Sequence, residues 1–393
     1  MLKLTKEKQK EHGSDEMKVV VACDSYKGCM TSKEVAKKIE EGIHNVDESI
    51  EVVSYVIGDG GEGTVEAFCE TCLGKTQQVS TSDAYGKHIQ SEYTIIENGQ
   101  TAVIEVANII GLNMYEREKR MPFFGSSFGV GTVLLDAVQK GCKKIIIGLG
   151  GSATNDGGMG LLQSLGARFY DSKHKYLSPQ AMNLEKIRFI DFNRLNYLKD
   201  IELIAACDVK NYLLGEEGAT FVFGKQKGFF PNQIKKIDLA MENYRNQILR
   251  YTNIDINKCM GGGAAGGIGA VLIGILGAQM RAGIELLVSY SDFDKQVESA
   301  DLVITGEGQS DHQTMFGKVP AGIIKVANAH HKPCICISGA LGIGYQELYD
   351  LGFIGVYSIA DRAMTFQQAL ENAPEKLYNA TYGIMKTILY FKN

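Results

Sequence analysis

Unbroken apolar runs alternate along this chain with stretches in which apolar residues recur every three or four positions. The runs at 17–23, 50–57, 143–149, 301–305, 333–338 and 353–359 are rich in Val, Ile and Leu, so they read as strands covered on both faces of a parallel sheet. Helical spacing follows several of them. Val35, Ala36, Ile39 and Ile43 share one face after the capping-box sequence TSKE that begins at Thr31. Met159, Leu161, Leu162 and Leu165 do the same after the run at 143–149; another helix starts through Thr64, and a last one follows Thr365, interrupted near Pro374. Segments 76–80, 89–96 and 101–107 differ, reading as strands joined by short loops, as in antiparallel pairing.

Strand, loop and helix in alternation predict an α/β protein. The alternation occupies both ends of the chain and the antiparallel segments its middle. Residues 17–82 plus 285–393 are therefore expected to form one discontinuous Rossmann-like domain around a parallel sheet, with residues 83–284 an inserted second α/β domain of mixed sheet. Residues 1–16 are charged, lack an apolar face and read as a flexible tail.

Composition narrows the function classes. With 393 residues, 45% hydrophobic and 22% charged, the chain is globular and long enough for two domains. A net charge of −5 with scattered Lys and Arg leaves no electrostatic footprint for nucleic acid. No secretory signal is present, and nine cysteines without a framework pattern fit reduced thiols in a cytoplasm. Segment 261–280, GGGAAGGIGAVLIGILGAQM, is uncharged and just long enough to span a bilayer, but about half of it is Gly or Ala and Arg281 follows at once. It reads as a buried glycine-rich loop with a core helix, so no membrane partner is expected.

Polar or glycine-rich loops follow the strands: DSYKG from Asp24, GDGGEG from Gly58, GGSATNDGG from Gly150, CDVKN from Cys207 and TGEGQSD from Thr305. In open α/β sheets the carboxyl ends of strands form the ligand crevice, so this set predicts an enzyme site between domains. The loop at 150–158 runs into a helix N-terminus, where free backbone N–H groups suit an anion. Two loops also match dinucleotide patterns: Gly58, Gly60 and Gly63 for one, and Gly148, Gly150 and Ala153 with Asp171 further on for the other. An NAD-dependent dehydrogenase is thus an alternative, weakened by Asp59 and Glu62, which would repel a bare pyrophosphate.

Acidic loops with a few lysines suit phosphoryl transfer, which needs a divalent metal on one or two carboxylates, a cation on the phosphates and a group to position the hydroxyl. Candidate carboxylates are Asp24, Asp59, Glu62, Asp156, Asp208, Glu307 and Asp311; candidate cations are Lys27 and Lys318. For each acid taken singly, a helix cap or a solvated loop side chain is the plainer role. The chain has no G-x-x-x-x-G-K-[ST] loop, no kinase H-R-D or D-F-G and no G-x-S-x-G elbow. Cys69-x-x-Cys72 lies at the far end of a helix and reads as structural thiols.

The ordered set VVACDSYKG, GDGGEGT, IIIGLGGSATNDGG, AACDVKNYLLGEEGATFVFGKQKG, GGGAAGGIGA, ADLVITGEGQSDHQTMFGKVP and SGALG resembles the bacterial glycerate kinase family, type 1. The resemblance runs from about Met17 to the C-terminus. It implies ATP-dependent phosphorylation of D-glycerate with Mg2+, a two-domain α/β fold and usually 2-phosphoglycerate as product, with 3-phosphoglycerate the alternative. Departures from the family pattern are Cys23, Tyr26, Gly58 and His312, of which His312 bears on a pocket. On this resemblance, Ser152, Thr154, Asn155 and Asp156, with Asp24, are expected to bind the acid. Lys27 would neutralise its carboxylate or the transferring phosphoryl group. Asp59 or Asp208 would orient the attacking hydroxyl, and Glu62 or Asp311 would hold Mg2+ through water. Gly262, Gly263, Gly266, Gly306, Glu307 and Lys318 are expected to bind ATP. A non-catalytic nucleotide-sensing protein of the same fold is the remaining alternative, and the expected assembly is a monomer or homodimer.

Overall fold

The structure, a computed structural model, describes residues 17–58 and 60–392. The expected tail at 1–16 and Asp59 lie outside the described residues. A five-stranded parallel sheet runs in the order Gly355–Ser358, Cys334–Ser338, Leu302–Gly306, Lys18–Cys23, Glu51–Val56. Both ends of the chain therefore build one sheet. The strands Leu302–Gly306 and Cys334–Ser338 are buried at every position, as unbroken apolar runs require.

The middle of the chain forms a six-stranded mixed sheet in the order Gln279–Arg281, Glu202–Ala206, Lys144–Gly148, Thr101–Glu105, His88–Ile96, Lys75–Ser82. Its first four strands are parallel, and the last two turn back antiparallel. Lys75–Ser82 pairs along its whole length with His88–Ile96. By pairing, the second sheet thus begins at Lys75, not at residue 83. The antiparallel reading of segment 76–80 thus holds, while the expected boundary at residue 82 falls after this strand rather than before it.

Local signals formed as the sequence predicts. Thr31 and Glu34 make a reciprocal capping box on helix Ser32–His44. Thr365 caps Phe366–Glu371, Asn372 ends it, and the helix Ala373–Lys392 follows with Pro374 in its first turn, where its missing N–H costs nothing. Segment 261–280 breaks into the turn Ala264–Gly267, the helix Ile268–Gly274 and the strand Gln279–Arg281. Among the described residues, no helix is long and apolar enough to cross a membrane.

One face of the five-stranded sheet packs on helices Ser32–His44 and Ala373–Lys392 through Val19, Val21, Val35, Ile39, Ile304 and Leu377. The other face does something the sequence did not announce. Val20, Ala22, Tyr55 and Phe68 share one apolar core with Val103, Ile146, Ile204 and Ala206 of the six-stranded sheet. The far face of the second sheet has its own core, which includes Leu134, Ile147, Leu161, Met241 and Ile268. A continuous apolar core between units opposes free hinging, and a groove lies between their loops.

Candidate active site

The loops at the carboxyl ends of both sheets meet at this groove, and glycines let them. Gly150 N–H donates to the Gly60 carbonyl at 3.0 Å. A Cβ on Gly150 would come within 2.4 Å of Gly61 Cα, and one on Gly60 within 2.9 Å of the Ala206 carbonyl oxygen. Any side chain would push the loops apart. The result is a cleft of about 360 Å³ whose polar lining includes Lys27 and Glu62 from one unit and Asn113, Ser152, Asp208 and Lys227 from the other. Leu149, Phe223, Ala264 and Ala265 supply apolar wall.

Four of the residues expected to bind the acid do not line this cleft, Asp24 standing on a second cavity described below. Thr154, Asn155 and Asp156 are fully buried behind its wall. Asp156 accepts from Ser127 N at 2.7 Å, Ser127 Oγ at 2.8 Å, Gly160 N at 3.1 Å and Gly158 N at 3.2 Å. It is the anion that the helix Met159–Ser164 receives at its N-terminus. The free donors expected there for a ligand are satisfied by the chain's own carboxylate. Burial pushes the Asp156 carboxyl upward and the bonds from Ser127, Gly160 and Gly158 pull it back down. Asn155 Nδ2 donates to Thr220 Oγ1 at 3.0 Å, and the Thr154 hydroxyl, buried, has no protein partner. Ser152 alone of that group lines the cleft.

The glycines at 261–267 also have a different task from the one expected. Gly263 N donates to Asn211 O, and Gly157 N donates to Gly266 O. A Cβ on Gly266, which has φ +66°, would meet the Thr154 carbonyl oxygen at 2.0 Å. Gly266 thus permits close packing of this segment against loop 150–158, Gly263 does so against Tyr212 and Asn211, and Gly262 against the Cys259 carbonyl; none of the three lines either cavity. The dinucleotide reading fails on similar grounds. The strand Arg168–Tyr170 before Asp171 pairs with Phe189–Asp191 outside the main sheet, and Asp171 holds only its own turn through Lys173 N and Lys175 N.

A second helix N-terminus is filled in the same way, by a residue distant in the chain. Glu105, at the end of the strand Thr101–Glu105, accepts from Gly63 N at 3.2 Å and Val65 N at 3.1 Å. A carboxylate of the second unit thereby caps the helix Thr64–Thr71 of the first. Burial raises its carboxyl to about 7, although the two backbone donors oppose this. An acid raised on folding binds more protons native than unfolded between its two pKa values, so stability falls as pH rises through that window. Relative to Glu105→Gln, the wild type should lose up to a few kcal/mol between about pH 5 and pH 8. Denaturant titrations at several pH values measure this; parallel curves for the two proteins would show Glu105 to be untitrated in that range.

The second cavity, about 370 Å³, sits at the carboxyl ends of the five-stranded sheet. There Asp24 N donates to Gly306 O at 2.9 Å. This is where chain order reverses between adjacent strands, the usual place for a ligand in such a sheet. Asp24, Lys27, Glu307, Asp311 and Lys318 line one part, while Ile359, Met364, Phe366 and Leu370 line another. Gly306 itself supports the wall: a Cβ there would meet the Ile337 carbonyl oxygen at 1.7 Å. Glu307 is buried and organised by Ser310 Oγ at 3.2 Å, Thr314 Oγ1 at 2.5 Å and Lys318 Nζ at 3.1 Å. Asp311 caps the turn His312–Phe316 through Gln313 N at 2.9 Å. His312 pairs with Glu347 at 2.6 Å and does not line the pocket.

Lys27 lines both cavities. Lys227 is the site residue that sequence reasoning missed. Its segment FGKQKG offers two lysines with nothing local to choose between them; Lys225 is exposed and Lys227 buried. Magnesium takes one or two carboxylates and fills its shell with water and phosphate oxygens. Among the described residues, no group of three or more His, Cys, Asp or Glu could hold a metal by itself. Asp311, at the mouth shared with Lys318, fits a water-rich ion carried with phosphates; Glu62, hydrogen-bonded by Asn113, lines the other cavity. Cys72 is pushed up to about 12 by burial, an inert thiol as expected.

Comparison with known proteins bears on the whole chain. A family profile described as "Glycerate kinase family" matches residues 19–389. A Bacillus cereus protein named glycerate kinase is 40% identical over 362 residues, 92% of this chain and 95% of its own length. A glycerate 2-kinase of Escherichia coli K12 is 37% identical over 373 residues, 95% of this chain and 98% of its own. Among solved structures, a chain described as glycerate kinase 2 from Salmonella typhimurium LT2 superposes with a TM-score of 0.81 at 36% identity. It covers 96% of this chain and 99% of that one.

Proposed function

The chain belongs to the glycerate kinase family and is a phosphotransferase, and from that premise we propose that it transfers the terminal phosphoryl group of ATP to D-glycerate, giving 2-phosphoglycerate. The observation that carries the reading is the position of Lys27 on two cavities at once. One cavity has an apolar part for a nucleobase and a lysine for phosphates; the other, of similar volume, offers Ser152, Asp208 and Lys227 to a short acid. A group between them meets the phosphoryl in transit, where fixed charge does most of the catalytic work.

ATP is placed with its base against Phe366 and Leu370 and its phosphates toward Lys318 and Lys27, with Glu307 holding Lys318 in place. Mg2+ would be held by Asp311 and would supply charge neutralisation on the phosphates. D-Glycerate lies in the cleft against Ser152, and Asp208 orients the attacking hydroxyl; Asp59 is the alternative by sequence. Loops closed by glycine contacts keep water, the competing acceptor, away from the transfer. The name of the Escherichia coli relative supports the 2-phospho product. Nine free cysteines among the described residues support the cytoplasm as its compartment.

Purified protein is expected to form ADP from ATP only when D-glycerate and Mg2+ are both present. Phosphorus NMR of the product should show 2-phosphoglycerate. A 3-phosphoglycerate signal would correct the regiochemistry alone. No ADP with D-glycerate, together with turnover on another hydroxy acid, would remove the substrate.

A further inference from the structure

We propose that Lys227 receives the carboxylate of the acid substrate, at the buried end of the cleft, leaving Lys27 for the transferring phosphoryl group. The assignment rests on reading that cleft as the acid site. Lys227 is 2% exposed and still lines the cleft. Its ammonium donates to Ser152 Oγ at 3.0 Å and to the Thr154 carbonyl at 2.6 Å. Both partners are uncharged, and an ammonium has three N–H donors. Gly266 makes the room: a Cβ there would approach Lys227 Nζ to 2.9 Å. A buried cation requires a counter-charge. The carboxylate that acts on it within the chain is Asp156, which already holds four donors of its own. Ser152 accepts from Lys227, so its own proton is available to a second oxygen of the same ligand. A carboxylate therefore finds one charged and one neutral donor side by side on a cleft that Lys27 also lines.

The arrangement has a consequence beyond binding. Burial brings the Lys227 ammonium down to about 7, with Asp156 pushing it partly back up. The other charged groups on the cleft are Lys27, Glu62 and Asp208. The free protein therefore gives up the Lys227 proton more readily than an ordinary lysine would. A bound carboxylate favours the charged form, so the acid should bring a proton in with it.

The test uses the full chain saturated with a non-hydrolysable ATP analogue and Mg2+. D-Glycerate is titrated calorimetrically at pH 8 in two buffers of different ionisation heat. The wild type should take up most of one proton per acid bound. Lys227→Met should take up none, and its KM for D-glycerate should rise roughly ten- to a hundredfold, the worth of one charge-assisted hydrogen bond. Its KM for ATP should stay within about twofold. The wild-type proton count stands even if the variant folds poorly. An unchanged KM for D-glycerate in Lys227→Met, or undiminished uptake in that variant, overturns the assignment, whereas no uptake by the wild type removes the proton coupling alone. If instead the wild type forms no ADP with D-glycerate, the glycerate reading falls and this inference with it.

Discussion

Asp156→Ala is expected to lower the melting temperature by on the order of 10 °C. The side chain is fully buried and takes four hydrogen bonds, two from Ser127 and one each from Gly158 and Gly160. Alanine deletes the acceptor and leaves buried N–H groups unpaired, each costing about 1–3 kcal/mol. A total of at least about 4 kcal/mol follows, and each kcal/mol is worth about 2–4 °C in a unit of this size. Asp156→Asn keeps one acceptor oxygen and should cost less. Thermal and denaturant melts of both variants measure the effect. Near-normal melting with a raised KM for D-glycerate would return Asp156 to the substrate site.

Lys27→Met should act in the opposite sense, on rate and hardly on stability. Lys27 is exposed and lines both cavities. Methionine keeps the length of the side chain and removes its charge. Removing one group that stabilises transition-state charge costs about 10²–10³ in kcat, so turnover should fall by roughly that factor while the melting temperature changes by about a degree or less. Steady-state kinetics with matched melting curves decide the matter. A variant that turns over normally would make Lys27 a wall residue of both pockets and no more.

The contrast between these two residues shows how far a sequence carries. Ser152, Lys27, Asp208, Glu307, Asp311 and Lys318 stand on the cavities as their motifs suggested. Thr154, Asn155 and Asp156, in the loop that looked most like an anion cradle, are interior. A helix N-terminus preceded by polar residues invites an anion from any source, and the pattern is identical whether the anion is a ligand or a side chain of the same loop. Glycine is equally ambiguous. At Gly266 and Gly150 close approach serves another loop of the protein, where the sequence suggested a phosphate at the first and any ligand at the second.

Legible from residue order alone were the α/β class, the parallel sheet built from both ends of the chain, the mixed sheet between them, the helix caps at Thr31 and Thr365 and the family. These follow from periodicity, capping chemistry and ordered motifs, all of which are local in the chain. It took the folded arrangement to reveal that Glu105 caps a helix of the other unit, that the two sheets share one apolar core, that Asp156 is spent inside, and that Lys227 is a buried lysine on the cleft. Each depends on partners far away in sequence: Lys227 and Ser152 are 75 residues apart, Glu105 and Val65 40 apart. Whether a charge is solvated, paired or left waiting for a ligand is set by what surrounds it in space, and one-dimensional spacing carries no record of that.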